Sequence, residues 1–234
     1  MAYTNNKMIS CRFIFFVSLF LLMSCNDNQV KNTSIIQSSL DDKSPYQEGI
    51  HYESLDKPFA TRDPSKVEII EFFWFSCGHC YNFERYIKAW KQGLAEDIDF
   101  YRSHITWNAQ AETQARIMYA ARALGVEEEA VAGVFHSIHI ENQLMTGQSE
   151  VESFFRGLGI STEKYRAINS SFGVNNALSQ ANKRMRGYDL RSVPAFTVNG
   201  KYKVVPTNDL SSTELLKVLD FLIEKEKLYL AKKD

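Results

Sequence analysis

Cysteine is scarce in this chain, with four in 234 residues, and proline is nearly as rare, with five. There is no run of basic residues, and a formal net charge of −1 with 24% charged residues leaves nothing built for nucleic acid. No internal repeat is visible. Long apolar runs are also missing: the longest, residues 13–23, is too short to span a bilayer as a stable helix. A chain of this length and 44% hydrophobic content can bury one sizeable core with a subdomain, but hardly two full domains.

The first part of the chain is read as processing signal rather than fold. No acid precedes Asp27, Lys7 and Arg12 supply a positive flank, and the short apolar run follows. It ends in Leu22-Met23-Ser24-Cys25, which resembles the lipobox of bacterial lipoproteins, with Met23 a less usual residue before the small one. Residues 1–24 are therefore expected to be a lipoprotein signal peptide and Cys25 the lipidated first residue of the mature protein; ordinary cleavage near Ser24 is the alternative. Loss of Lys7 and Arg12 takes the net charge from −1 to −3. Residues 25–45, polar and rich in Ser and Asn, are expected to form a flexible membrane tether. About 20 such residues reach roughly 25 Å.

Cysteine counting then becomes informative. Cys11 leaves with the signal and Cys25 with the lipid, so Cys77 and Cys80 are the remaining thiols. One close pair is no stapling framework for an exported protein, so the pair is there for chemistry. It stands in residues 67–81, VEIIEFFWFSCGHCY, where nine β-branched, aromatic and acidic residues without Gly or Pro read as a central strand. Phe83, Ile87, Trp90 and Leu94 follow at helical spacing. Cys77 is thus expected at a helix N-terminus, where free N–H groups and the helix dipole favour a thiolate.

Residues 50–55 read as a short edge strand, with Pro58 and Pro64 punctuating the approach to the main strand, and residues 98–105 as a second central strand. The character then turns helical. Ala115, Met118, Tyr119, Arg122 and Ala123 mark one helix closed by Gly125, and Val131, Val134, Phe135 and Ile138 another. Ser149 with Glu152 fits a capping box before Val151, Phe154, Phe155 and Leu158; Ser161 caps a segment with Tyr165 and Ile168; residues 174–185 form a helix ended by Gly187. Phe172, Met185 and Tyr188 are assigned to the core. Residues 195–198, the Asn199-Gly200 turn and residues 202–205 read as a hairpin, and Ser211 with Glu214 as a capping box for the last helix. The order describes an α/β protein with a thioredoxin-like fold interrupted by a helical insertion: residues 46–107 the first part, 108–187 the insertion and 188–234 the second part.

Other uses of the pair fare poorly. Haem attachment needs His after the second Cys, where Tyr81 stands, and a structural zinc needs four ligands. His136 and His139 share a helical face at metal-ligand spacing, but without further ligands nearby in sequence they are set aside. A disulfide closing so short a loop stabilises little. His79, if protonated, lowers the Cys77 pKa further. Glu71 shares a strand face with Val67, Ile69, Phe73 and Phe75. It is either desolvated with a raised pKa, able to relay the proton of Cys80, or a Glu whose head reaches solvent or pairs with a base. Glu84, Asn82, Arg85 and Lys88 are read as surface groups. Val193-Pro194 suits a strand start, its isomer open.

The stretches EFFWFSCGHCYNFE at 71–84, ALGVEEEAVAGVFHSI at 123–138 and VPAFTVNGKY at 193–202 together resemble the DsbA family of bacterial periplasmic thiol:disulfide oxidoreductases. The likeness covers the chain from about Tyr46 onward. It implies that Cys77 is the exposed cysteine of low pKa, Cys80 its buried partner, His79 the thiolate-stabilising His, Glu71 the buried acid and Pro194 a cis-proline facing the pair. It also implies that Val193 offers backbone hydrogen bonds to an extended peptide. A strongly depressed cysteine pKa and an oxidising couple are known properties of the family, and the resemblance implies them for this pair. One departure is Gly78-His79 where many members have Pro-His; a second is the lipobox.

The resemblance implies an enzyme with no cofactor beyond its redox-active cysteine pair, introducing disulfides into reduced exported proteins. A DsbB-like membrane oxidase would reoxidise it. The expected state is a periplasmic monomer, lipid-anchored to the membrane, with no nucleic acid partner and a mainly apolar peptide groove beside Pro194. Two alternatives stay open: a reductase or isomerase using the same site, kept alive by Gly78, and a non-enzymatic chaperone or adhesion lipoprotein.

Overall fold

The computed structural model describes residues 44–207 and 210–232. The expected signal peptide, Cys25 and the tether as far as residue 43 lie outside the described residues. Among the described residues twelve elements follow in order: β1 (Glu53–Ser54), β2 (Val67–Phe73), α1 (Gly78–Lys91), β3 (Ile98–His104), α2 (Ala109–Leu124), α3 (Glu127–His139), α4 (Gln148–Gly157), α5 (Thr162–Asn169), α6 (Phe172–Gly187), β4 (Ala195–Val198), β5 (Tyr202–Val204) and α7 (Ser212–Leu230). Among the described residues no helix is long and apolar enough to cross a membrane.

One sheet of order β1-β5-β4-β2-β3 organises the chain. Every residue of β2 is buried, as its near-continuous apolar sequence requires. β2 pairs in parallel with β3, with α1 connecting them, and antiparallel with β4. Its alternating side chains enter different layers. Val67 and Ile69 pack with Phe83 and Ile87 of α1 and the apolar stripe of α7. Ile70 and Phe72 meet Tyr101, Met185 and Tyr188 on the other face. Phe73 and the following Phe75 run into the core of α2 to α6, the helical block inserted between β3 and β4. The strand that leads to the cysteines is therefore the seam between sheet and insertion.

Local sequence accounts for most helix ends. The side chains of Asn108, Ser161, Ser171 and Ser211 each accept the N–H of a residue three positions on, and Gly125 closes α2 in the left-handed conformation at φ 76°. At Ser211 only half of the expected capping box forms, because the Glu214 carboxylate bonds Lys217 and Tyr46 instead. The box expected from Ser149 and Glu152 is absent. α4 begins earlier, with Gly147 at its N-cap, and Glu150 accepts the N–H groups of Thr146 and Gly147 at 3.1 and 3.2 Å. Glu152 turns inward to the Arg166 guanidinium.

Three further expectations are corrected. The edge strand of residues 50–55 shrinks to Glu53–Ser54, since Gly49 turns the chain at φ 79° and leaves Ile50 exposed. Leu94 falls beyond the end of α1. Phe172 is 85% exposed, because the buried stripe of α6 runs through Val174, Leu178, Ala181 and Met185 and residue 172 lies off it. Met185 and Tyr188 are in the core as expected.

The β4–β5 turn has Asn199 and Gly200 both at positive φ, 50° and 63°, as a primed hairpin turn demands. Phe59 crosses above it, its N–H donating to the Gly200 carbonyl at 2.9 Å and its ring lying against Gly187 and Tyr188. A Cβ at Gly200 would collide with the Phe59 backbone. Gly200→Ala is expected to destabilise the protein by about 1–3 kcal/mol, read as a lower urea midpoint at unchanged slope.

Candidate active site

The turn after β2 aims Cys77 at the start of α1. The Cys77 N–H donates to the Trp74 carbonyl at 2.9 Å, and Cys77 takes the N-cap position with extended backbone, φ −85° and ψ 112°. Its sulfur accepts the N–H of Cys80 at 3.3 Å. Both cysteines are free thiols. The Cys77 thiol is pulled from its ordinary value of 9.0 down to about 6. A hydrogen bond with the Cys80 thiol is the main cause, partial burial opposes it, and the backbone N–H groups of Cys80 and His79 and the charge of His79 add to the lowering. Cys80 goes the other way. Burial pushes its thiol well above the ordinary range, with the neighbouring Cys77 and the Glu71 carboxylate adding to the shift.

Val193 and Pro194 arrive from the strand opposite, joined by a cis peptide bond. The Val193 carbonyl accepts from the Cys77 thiol at 3.4 Å, so residues 116 positions apart in sequence meet at one sulfur. His79 is exposed and borders a cleft of about 490 Å³ running beneath Val193 and Pro194. Its lining corrects the expectation of a mainly apolar groove: Phe83 and Leu210 share it with Asn82, Ser192, Thr207 and Ser211. A larger, more open depression of about 700 Å³ between α3 and α4 contains neither cysteine. Of its acids, Glu150 caps α4 and Glu141 faces His136.

Glu71 is buried and pairs with a base, its head not reaching solvent. It lies buried opposite Arg102 in the β2–β3 register, and the Arg102 Nε donates to its carboxylate at 2.9 Å. Arg102 also bonds both Glu84 oxygens at 2.9 and 3.0 Å and lies 3.5 Å from Glu128. Glu84 is therefore no solvated surface acid: it is largely buried, one turn past Cys80, in a cluster where acids outnumber the buried cation. Burial raises its pKa to about 7, and the Glu71 charge adds to this while Arg102 opposes it. Asn82, Arg85 and Lys88 are exposed as expected.

The segment just before Cys77 is held by residues that sequence reading passed over. His104, fully buried, accepts the Phe75 N–H at Nε2, 3.0 Å, and its Nδ1 donates to the Ile105 carbonyl at 2.7 Å. Burial keeps this ring neutral, its pKa pressed down to about 3. His139 Nε2 lies 2.7 Å from the Phe75 carbonyl. Ser76 is bound by Gln110 and Gln114 of α2, and the buried Gln114 also donates to the Leu144 carbonyl. The helical spacing of Gln110 and Gln114 marks them as one helix face, but nothing in the sequence names Ser76 as their target.

The native state retains a proton on Glu84 between about pH 4.5 and 7 that the unfolded chain has released, so this group lowers stability as pH rises through that window. Glu84→Gln is expected to give a shallower fall in urea-unfolding free energy between pH 4.5 and 7 than the wild type. An unchanged slope would contradict the buried cluster.

The profile of the DSBA-like thioredoxin domain matches residues 86–215, beginning after the two cysteines and covering more than half of the chain. The thiol:disulfide interchange protein DsbA of Pseudomonas aeruginosa is 32% identical over 78% of this chain and 86% of its own length. That of Burkholderia cepacia is 34% identical over 76% of this chain and 84% of its own. The crystal structure of Pseudomonas aeruginosa DsbA superposes with a TM-score of 0.75 over 81% of this chain and 97% of its own. An oxidoreductase DsbA from Xylella fastidiosa, at 23% identity, shares the fold with a TM-score of 0.74. By sequence and by fold alike, the chain belongs to the DsbA family, a thioredoxin-like α/β fold carrying a helical insertion.

Proposed function

We propose that this thiol:disulfide oxidoreductase of the DsbA family works in the oxidising direction, introducing disulfides into exported proteins in the periplasm. The observation that carries this reading is the unequal pair. Cys77 is a helix-capped thiol with its pKa near 6, and Cys80 is a buried thiol with its pKa raised. Stabilising the Cys77 thiolate favours the reduced pair, and so makes its disulfide a stronger oxidant.

In the oxidised protein a substrate thiolate attacks the Cys77 sulfur. The Cys77–Cys80 bond breaks, a mixed disulfide forms, and Cys80 leaves as a thiolate that takes up a proton in its buried site. A second substrate thiolate then attacks the substrate sulfur of the mixed disulfide, and Cys77 departs as the stabilised thiolate. The substrate loses two electrons and the cysteine pair gains them. His79 supports the Cys77 anion, and the Val193 backbone beside Pro194 lines up an extended peptide along the partly polar cleft. Glu71, through Arg102, sets the charge beneath Cys80. Reoxidation falls to a DsbB-like membrane oxidase, and a lipid on Cys25 with a tether over residues 25–45 would keep a monomeric domain near it. No cofactor beyond the cysteine pair enters this scheme.

A reductase or isomerase is the second reading. Gly78 keeps it open: it stands exposed at the first helical position, between the cysteines, where many family members have proline. Equilibration with a glutathione series separates the two: an oxidase lies well above the thioredoxin potential of about −270 mV, and a value near it would overturn the oxidising direction.

Cys77→Ser is expected to abolish oxidation of a reduced model protein, while Cys80→Ser accumulates mixed disulfides; retained oxidation by the first variant sinks the assignment. The reduced protein should also gain about 1 kcal/mol at pH 7 from the Cys77 anion, since its folded pKa lies below the unfolded value. That gain grows toward pH 9 and vanishes as pH falls through 6, whereas Cys77→Ser shows none of it. Cys25→Ser is expected to move the protein from the membrane to the soluble fraction of the periplasm. Persistence at the membrane would contradict the anchor.

A further inference from the structure

We propose that His139 is a positioning residue for the Cys77 thiolate, holding the backbone ahead of the Cys-Gly-His-Cys segment and the Tyr81 ring just after it; this rests on Cys77 being the attacking thiol. His139 is the last residue of α3. Its Nε2 lies 2.7 Å from the carbonyl of Phe75, two residues before Cys77. A carbonyl only accepts, so Nε2 carries the proton and donates. The same ring stacks on Tyr81, the residue after Cys80, with centroids 4.6 Å apart and planes within 10°. One side chain from the insertion thus touches the segment leading into the pair and the residue leaving it.

The geometry at Phe75 leaves little slack. Phe75 is fully buried, its N–H bound by His104 and its carbonyl by His139, so the peptides on either side of it are oriented from both ends. Ser76 follows, and then Cys77, whose sulfur meets the N–H of Cys80 only while Cys77 holds its extended N-cap backbone. Tyr81 closes the loop, its N–H donating to the Cys77 carbonyl at 3.0 Å in the first turn of α1. Without the His139 donor the Phe75 carbonyl is left as a buried acceptor, and the turn is free to rotate toward another partner. The sulfur then loses alignment with the N–H groups that stabilise its charge. His136, exposed on the same helix and facing Glu141, makes no such contact.

The test is titration of the Cys77 thiolate by its ultraviolet absorbance, with the glutathione equilibrium as a second readout. Neither depends on a protein substrate or on the direction of exchange. His139→Phe keeps the ring stacked on Tyr81 but removes the donor, and His139→Leu removes donor and ring. Both are expected to lower the Cys77 acid dissociation constant about three- to tenfold, up to about one pKa unit, and to make the pair less oxidising. His139→Gln, whose amide can donate to the same carbonyl, should recover most of the wild-type value, and His136→Gln should not change it. Dissociation constants within twofold of wild type for the Phe and Leu variants, with only thermal stability lowered, would make His139 a packing residue and overturn the proposal. So would a Gln variant as impaired as the Phe variant. A wild-type Cys77 that titrates like an ordinary thiol, near 8.5, is a different result: it removes the proposed function itself, and the positioning role with it.

Discussion

The N–H of Cys80 points at the Cys77 sulfur because Cys77 stands one residue before a helix, with its own backbone still extended. A sulfur so placed meets donors that no intrahelical carbonyl can use, and bonds to a charged acceptor contribute about 1.5–3 kcal/mol where neutral ones contribute about 1. The interaction therefore favours the anion over the thiol. The surrounding fold serves that placement. The buried strand β2 delivers the turn, Trp74 closes it and α1 supplies the donors, while the Val193 carbonyl, just ahead of β4, accepts from the sulfur when it carries its proton.

The second thiol differs from the first through burial. Cys80 lies on the inner side of α1 in the insertion core, and the Glu71 carboxylate adds a negative potential beneath it. A charge cluster so deep adds little net stability by itself, since replacing a buried ion pair by apolar groups is often neutral or favourable. Removing one partner is another matter and typically costs about 3–5 kcal/mol, because the remaining charge stays buried. Arg102 holds Glu71 and Glu84 together, so neither acid has to face the core as an unpaired anion.

Features set by near neighbours were legible in the sequence. The apolar run of β2, the spacing that puts Cys77 at a helix start, the Asn-Gly hairpin and the caps at Ser161 and Ser211 all follow from a few adjacent residues, and the structure has them. The meeting of Cys77 with Val193 was readable only through resemblance to a family. Partnerships across the fold were not legible. Glu84 falls one turn past Cys80 and looks like a surface acid until Arg102 arrives from β3. Gln114 and His139 carry ordinary helix-surface residue types, and their targets at Ser76 and Phe75 lie 38 and 64 positions away. Phe172 departs from expectation for a simpler reason: hydrophobicity argues for burial, but its angle on α6 points it away from the core. Ser149 misleads because Glu150, one residue on, bonds the backbone ahead of the helix more directly.

Phe59 and the short strand before it form a strap fastened twice to the sheet and once to the helical insertion. β1 pairs with β5 through two residues, Phe59 bonds Gly200 at the hairpin, and its ring rests on Gly187 at the end of α6. A pull on the chain from the N-terminal side reaches these fastenings before it reaches β2. The load is shared between the sheet edge and the insertion, and the strand that aims the cysteines stays behind them. In mechanical terms the strap is a strain relief, separating the cysteine-bearing turn from a pull on the chain ahead of Glu53.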